Sequence, residues 1–347
     1  VPIDPHEQDG SGTVSRPTMK DVALHAGVGL KTVSRVVNDE PGVTEATAAR
    51  VRSAITALGF RRNDSARILR KRRTQSIGLV VEDIGDPFYA QLHRAVEEEA
   101  HARGHLLFAG SSSEEPERER ELALAFCARR VDGLIVVPAG TDHRYLLPEI
   151  TAGVATTFVD RPAGGIESDA VVTANTEGAR LGVAHLVAGG HRRIGFVGDR
   201  SGIYTAERRL AGYRAAMAEA GLPVDERWIC PGPIEPGRVA ADVRRLLAGP
   251  DPVTALFSGN NRATVQVLRA LGDQRDRIAL VGFDDLEFAE LLRPAVTVVA
   301  QDVAGLGRTA AQLLFRRLDG SAGPPRDVEL PTRLIPRGSG ELPPAAS

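Results

Sequence analysis

Apolar side chains recur three and four apart through the first sixty residues. Beyond residue 75 they gather instead into short unbroken runs. The first regime predicts two short amphipathic helices within residues 18–38, TMKDVALHAGVGLKTVSRVVN, separated by Gly27-Val28-Gly29. Thr18 is a good N-cap, and Asp21 falls in the first turn, where the helix dipole favours a carboxylate. Val22, Ala23 and Ala26 form one apolar face, and Gly27 supplies the left-handed residue that ends the helix. The second helix spans 30–37, with Val33, Val36 and Val37 inward and Leu30, Lys31, Ser34 and Arg35 outward. Thr44 caps a third helix in which Val51, Ile55 and Leu58 point inward and Gly59 closes it. Two helices around a glycine turn are the sequence form of a helix-turn-helix, and the outward side chains suit base edges and phosphates. The same pattern also suits a solvated helical hairpin, so charge has to decide.

The second regime predicts strands at 77–81, 106–109, 133–137, 155–159, 171–173, 194–198, 255–258, 279–283 and 296–300. Helical stretches at 88–103, 115–129, 177–187, 206–220, 238–247 and 261–271 separate most of them. Continuous Val/Ile/Leu strands alternating with helices imply parallel sheets covered on both faces. Ligands on such sheets bind beyond the carboxyl ends of the strands. Residues 82–89 follow the first strand and Asp160-Arg161-Pro162 the fourth. Asn260-Asn261, Asp284-Asp285 and Gln301-Asp302 follow three later ones, and Arg208-Arg209 opens the helix after 194–198. Carboxylates, carboxamides and an arginine around the aromatic pair Phe88-Tyr89 is the chemistry of a sugar site. Such groups bond vicinal hydroxyls while a ring stacks on the apolar sugar face. Ordinary loop polars and helix caps would account for about half of such residues in any α/β protein.

Charge separates the two regimes. Residues 16–73 hold thirteen basic and five acidic side chains, a balance of +8 against −2 for the whole chain, which leaves −10 elsewhere. All three lysines, Lys20, Lys31 and Lys71, lie in this basic head. A basic head on an acidic body directs the head toward a polyanion, so the hairpin reads as nucleic-acid binding.

The motifs T-x-x-D-V-A-x-x-A-G-V, T-V-S-R-V-V-N and N-x-x-A-R-x-L, in that order, make residues 18–73 resemble the DNA-binding head of the lactose/galactose repressor family (LacI type). The resemblance continues through D-x-G-D-P-F-Y, V-D-G-L-I-V-V-P, F-V-D-R, R-L-A-G-Y, N-N, V-G-F-D-D and T-V-V-A-Q-D, and covers nearly all of 18–336. It implies that Leu30, Lys31 and Arg35 read bases while Thr18, Thr32, Ser34 and Asn38 hold phosphates. In the hinge helix it places Ala66 in the minor groove, Leu69 as the wedge that kinks the central step, and Arg70 beside them on the DNA. A short arginine-rich helix with one apolar leucine is marginal in free solution, which suits a segment that forms on DNA. Gly29 stands where the family usually has serine, giving up a hydroxyl at a cost to the cap of about a few tenths of a kcal/mol.

For the body the resemblance implies two Rossmann-like subdomains joined by three crossovers, like periplasmic sugar-binding proteins. One takes 75–172 plus 302–326, the other the rest. The effector-contacting set it implies is Asp86, Phe88, Tyr89, Asp160, Arg209, Asn260, Asp284 and Gln301, with Asn261 replacing the family's usual aspartate. The expected organisation is a disordered tail at 1–15, a helix-turn-helix domain at 16–60 and a hinge at 61–74. An α/β effector-binding and dimerisation body follows at 75–337, then a disordered tail at 338–347. The expected protein is a homodimeric regulator, a repressor, acting on a pseudo-palindromic double-stranded operator under control of a small-molecule effector, a sugar or its derivative. A nucleobase-dependent or protein-responsive regulator of the same fold is the alternative.

Other classes are less well served. The eight histidines show no HExxH spacing, and there is no GxSxG elbow or GxxxxGK[ST] loop, so neither catalytic residues, metal nor cofactor is expected. A sugar-transport protein with this body would need a secretory leader, and residues 1–15 have neither a basic nor an apolar segment of that kind. With no run of about 18 apolar residues, a bacterial cytoplasmic, nucleoid-associated location is expected. Cys127 and Cys230 read as reduced packing residues and Trp228 as an edge packing residue. Without leucine heptads at the end, no coiled-coil tetramer is expected.

Overall fold

The computed structural model describes residues 17–61, 73–249, 251–321 and 323–344, and the chain divides into a helical unit before Arg73 and a body from Arg73 onward. The hinge residues Ala66, Leu69 and Arg70 and the tail 1–15 lie outside the described residues.

In the first unit, α1 (Met19–Ala26), α2 (Leu30–Val37) and α3 (Glu45–Leu58) appear where the periodicity puts them. Thr18 and Asp21 form a reciprocal capping box, with the Thr18 amide donating to the Asp21 carboxylate at 2.7 Å. Gly27 and Gly59 end α1 and α3 at φ 59° and 61°, a conformation that favours glycine. Val22, Val33 and Val51 are completely buried at the centre. Phe60, which the sequence places at the head of the basic run, turns back into this core at 8% exposure.

The body holds two six-stranded sheets. The first contains β1 (Ser76–Val81), β2 (Leu106–Ser111), β3 (Gly133–Val136), β4 (Ala155–Val159), β5 (Asp169–Thr173) and β11 (Asp327–Leu330), in the order β11-β5-β4-β3-β1-β2. The second contains β6 (Ile194–Gly198), β7 (Ile229–Pro231), β8 (Ala255–Ser258), β9 (Ala279–Phe283), β10 (Thr297–Gln301) and β12 (Thr332–Ile335), in the order β12-β10-β9-β8-β6-β7. Neighbours are parallel except β10 and β12. On the first sheet, α4 (Pro87–Ala102) and α11 (Val303–Leu318) cover one face, and α5 (Pro116–Ala128) packs on the other. A short α6 (Leu147–Thr151) leads into β4. On the second sheet, α7 (Asn175–Ala188) and α8 (Tyr204–Glu219) face α9 (Pro236–Ala248) and α10 (Asn261–Leu271) across the strands.

The chain passes between the sheets at Ala174, Asp302 and Pro331, giving the three crossovers. Each passage leaves from the carboxyl end of a strand, so the site-bearing ends of both sheets face one another.

Several elements escaped the sequence pattern. Strands β7, β11 and β12 lack an unbroken apolar run, and α11, which buries ten of its sixteen residues but keeps Arg308 and Gln312 exposed four apart, is not among the helical stretches predicted above. Helix α8 begins at Tyr204, so Arg208 and Arg209 sit in its second turn instead of opening it. The expected terminal tail needs correction for residues 338–344. Ser339 is 3% exposed, its hydroxyl donates to the Leu280 carbonyl at 2.6 Å, and it accepts from the Thr297 amide at 2.9 Å. Glu341 accepts from the Thr297 hydroxyl at 2.8 Å and bonds the His185 ring. Short polar side chains here satisfy backbone groups at the end of the second sheet, which linker composition does not reveal. Trp228 packs at 9% exposure beside Cys230, and both cysteines are free and buried.

Gly212 in α8 permits the close approach of α7: a Cβ there would lie 2.1 Å from the Thr176 carbonyl oxygen, whereas one at Gly237 in α9 would meet nothing. Gly212→Ala is expected to destabilise the body by about 1–3 kcal/mol through forced separation of the helices. Gly237→Ala should be neutral or stabilising by up to about 1 kcal/mol. Denaturant unfolding of both variants checks the pair.

Candidate functional site

In the head, packing of Val33 turns the opposite side of α2 outward. Leu30 is 45% exposed, Lys31 is exposed, and Thr32, Ser34, Arg35 and Asn38 are half-buried around them. Gly29 caps α2 in an extended conformation with no side-chain bond. Asn38 donates to the Ser34 hydroxyl at 3.3 Å, and the Thr18 hydroxyl donates to Asp21 at 2.7 Å. The predicted head residues outside the hinge therefore share one helix and the cap of its neighbour.

In the body, all eight predicted residues line one cavity between the sheets, enclosing about 490 Å³ with its open mouth included. Each half contributes an aspartate immediately after a strand, Asp160 after β4 and Asp284 after β9, at φ 69° and 73°. Their amides donate to Val171 and Val299 carbonyls of the neighbouring strands at 2.8 and 2.9 Å. Left-handed backbone costs a non-glycine residue roughly 1–2 kcal/mol, and here it turns a carboxylate from each strand end into the same space.

Beside each aspartate lies a buried guanidinium. Arg209, 5% exposed, donates through Nε to the Asn175 carboxamide and through Nη1 to the Gly259 carbonyl, both at 2.7 Å. Its Nη1 is 3.7 Å from Asp284, and its plane lies 3.9 Å over the Phe283 ring. Arg161, 6% exposed, grips Glu114 with two nitrogens, donates to the Pro138 carbonyl at 2.7 Å and sits 3.5 Å from Asp160. Asn260 caps α10 by accepting from the Ala263 amide and donates to Asp199 at 3.3 Å. Gln301 bridges the end of β5 and the residue after β9, accepting from Thr173 and donating to Asp284.

The aromatic pair divides its work. Phe88 and Tyr89 meet edge to face with centroids 5.0 Å apart, below the Asp86 cap of α4. Tyr89 is 6% exposed and its hydroxyl donates to Glu82 at 3.1 Å, so it serves as wall, while half-buried Phe88 keeps ring surface toward the cavity.

The cavity also holds Glu82, Arg161 and Asn261, which the sequence places among the polar residues after strands but outside the implied effector set, and Asp199 and Arg262, which sequence reasoning passed over. The available signal was position, since Glu82 and Asp199 directly follow β1 and β6 and Arg161 and Asn261 come two or three residues after β4 and β8. Among the described residues, no group of three or more His, Cys, Asp or Glu side chains could hold a metal ion, and no helix is long and apolar enough to cross a membrane.

Burial raises the carboxyls of Asp86 and Asp160 above the ordinary aspartate range. Burial first, then the neighbouring Glu114, pushes Glu82 from 4.5 up to about 7. Between those values the folded chain keeps a proton that the unfolded chain releases, so this group makes stability fall as pH rises from about 4.5 to 7. Glu82→Gln is expected to remove that loss, on the order of 2 kcal/mol. Unfolding free energies of both proteins at pH 5 and pH 8 check it: the variant should gain on wild type at pH 8 only.

Comparison with known proteins agrees with both units. Residues 18–63 match the family described as bacterial regulatory proteins, lacI family, and residues 183–340 match a periplasmic binding protein-like domain. The HTH-type transcriptional regulator CelR of Thermobifida fusca is 35% identical over 340 residues, covering 94% of this chain and 98% of its own length. The ribose operon repressor of Escherichia coli (strain K12) is 32% identical over 328 residues, covering 93% of this chain and 99% of its own. A solved complex of the transcriptional regulator CelR with cellobiose shares the architecture at a TM-score of 0.68 and 31% identity, covering 93% of this chain and all of that one. Related in head and body along nearly its whole length, the chain belongs to the lacI family of bacterial regulatory proteins, the helix-turn-helix transcriptional regulators.

Proposed function

We propose that this regulator is a cytoplasmic homodimeric repressor whose affinity for a pseudo-palindromic operator is set by a sugar bound between the two halves of its body. The single observation that carries the reading is the cavity at the facing strand ends, where Asp160 and Asp284 enter from opposite sheets around Arg209 and Phe88. Ionised carboxylates accept from vicinal hydroxyls, guanidinium and carboxamide groups donate to them, and an aromatic ring covers the apolar face of a pyranose or furanose. The effector set is Asp86, Phe88, Tyr89, Asp160, Arg209, Asn260, Asp284 and Gln301, joined by Arg161 as the anchor of Asp160. Cellobiose in the CelR complex is the reason to begin with neutral sugars.

For DNA, Leu30, Lys31 and Arg35 read base edges and Thr18, Thr32, Ser34 and Asn38 hold the backbone, with residues 62–72 joining head to body. Two-fold symmetry of the dimer is matched by two half-sites. A ligand that changes the angle between the subdomains changes the spacing of the two heads. Moving such an equilibrium from 1:99 to 99:1 takes about 5.5 kcal/mol of differential affinity, within reach of several polar contacts in a closed cleft.

Lys31→Ala should weaken operator binding by about 1–3 kcal/mol and relax preference at one base pair per half-site. An equal loss on operator and random DNA would make Lys31 a phosphate contact. For the body, a thermal-shift screen of neutral sugars including cellobiose and ribose, sugar phosphates and nucleobases should give one class that stabilises by about 2.7 kcal/mol at a hundredfold excess over Kd. Asparagine tolerates left-handed backbone and Glu114 still pairs Arg161, so Asp160→Asn should stay within about 1 kcal/mol of wild type when ligand-free, whereas Asp284→Asn, which removes the carboxylate beside buried Arg209, should cost about 3 kcal/mol. Both should lose the ligand-induced shift and the response of operator binding to that ligand. Retention of both responses in both variants would show that the effector binds elsewhere.

A further inference from the structure

Two side-chain contacts span the cleft away from the three crossing segments among the described residues. Asn261, at the start of α10 in the second half, donates to the Asp86 carboxylate of the first half at 2.8 Å. The next residue, Arg262, donates to Glu82 at 2.8 Å. Asn261 and Asp86 are each 9% exposed, so the first bond is made out of water, while Arg262 is about half exposed and its pair is partly screened. All four side chains line the cavity, and the two bonds join the halves across it.

From this arrangement we propose that Asn261 and Arg262 are positioning residues that latch the two halves of the body together across the mouth of the cavity, so that they set the cleft angle from which the regulator is switched.

The chemistry of the pair makes the latch specific. Asp86 is already held by the Phe88 amide at 2.9 Å, which fixes its carboxylate toward α10. A carboxamide facing it supplies an N–H, whereas an aspartate at 261 would set two carboxylates against each other in a buried place. Glu82 is braced from behind by the Tyr89 hydroxyl, so Arg262 meets a fixed acceptor. The closed geometry thus comes from the protein's own groups, and a ligand competes with or completes them.

The consequence for DNA rests on the proposed function, but the latch itself is tested separately. Dyes placed on Glu98→Cys and Asp276→Cys, both exposed and in opposite halves, report the cleft by energy transfer in labelled subunits diluted into unlabelled full-length protein. Asn261→Asp should widen the ligand-free cleft and shift ligand-free operator affinity at least fivefold. Exchanging the pair, Asn261→Asp with Asp86→Asn, should restore both towards wild type, which a merely structural role for either residue would not. Arg262→Ala, a milder change at a half-exposed position, should widen the cleft to a lesser degree and shows whether a folded variant still responds. If transfer in Asn261→Asp and Arg262→Ala equals wild type, the latch is overturned. If the cleft widens and operator affinity stays the same, the latch stands and it is control of DNA binding by cleft geometry that fails.

Discussion

A buried arginine in each half of the body, Arg161 in one and Arg209 in the other, imposes the order on which the site depends. Moving a guanidinium out of water costs several kcal/mol unless carboxylates and carbonyls surround it. Arg161 is met by Glu114, Pro138 and Asp160, and Arg209 by Asn175, Gly259 and Asp284. Those partners lie on loops beyond different strands, so satisfying each charge ties several strand ends together. Arg209 also reaches Asn175, the first residue of α7 after the chain has crossed from β5. The second half of the cavity is thereby fixed to one of the crossing segments.

The two halves solve the same problem with the same parts. A parallel strand ends, the next residue is an aspartate in left-handed conformation, and an arginine holds it in place. The resulting walls are rigid within each half, since they belong to the sheets and their covering helices. Between the halves, three crossing segments and a few polar contacts carry the connection. A site with rigid walls and few connections between them turns contacts within the cavity into a change of angle.

The linker's entry into the body has its own anchor. Asp132, just before β3, accepts from the amides of Thr74 and Gln75 at 2.8 Å each, and Arg73 donates to the Leu318 carbonyl at the end of α11. Strand β3 runs from Asp132 towards Pro138, whose carbonyl binds Arg161, and α11 follows directly from Gln301 and Asp302. Regular elements thus connect both walls of the cavity with the point where the linker leaves.

What the sequence by itself determined is what depends on near neighbours in the chain. Helices α1 to α3 could be read from apolar spacing and their glycine and threonine caps, and most strands from runs of valine, isoleucine and leucine. Eight cavity residues were legible because strand ends in a parallel sheet are where such sites form, and motif resemblance chose among them. Tertiary structure alone decided the rest. Strands β7, β11 and β12 exist because a neighbouring strand offers them a ladder, and polar residues or proline interrupt their apolar positions. The charges of Arg161 and Glu82 could be seen as loop polarity, but their roles come from burial beside partners 47 and 180 residues away, Glu114 and Arg262. Local periodicity records which way a side chain faces; only the folded chain brings together the distant groups that decide what it meets there.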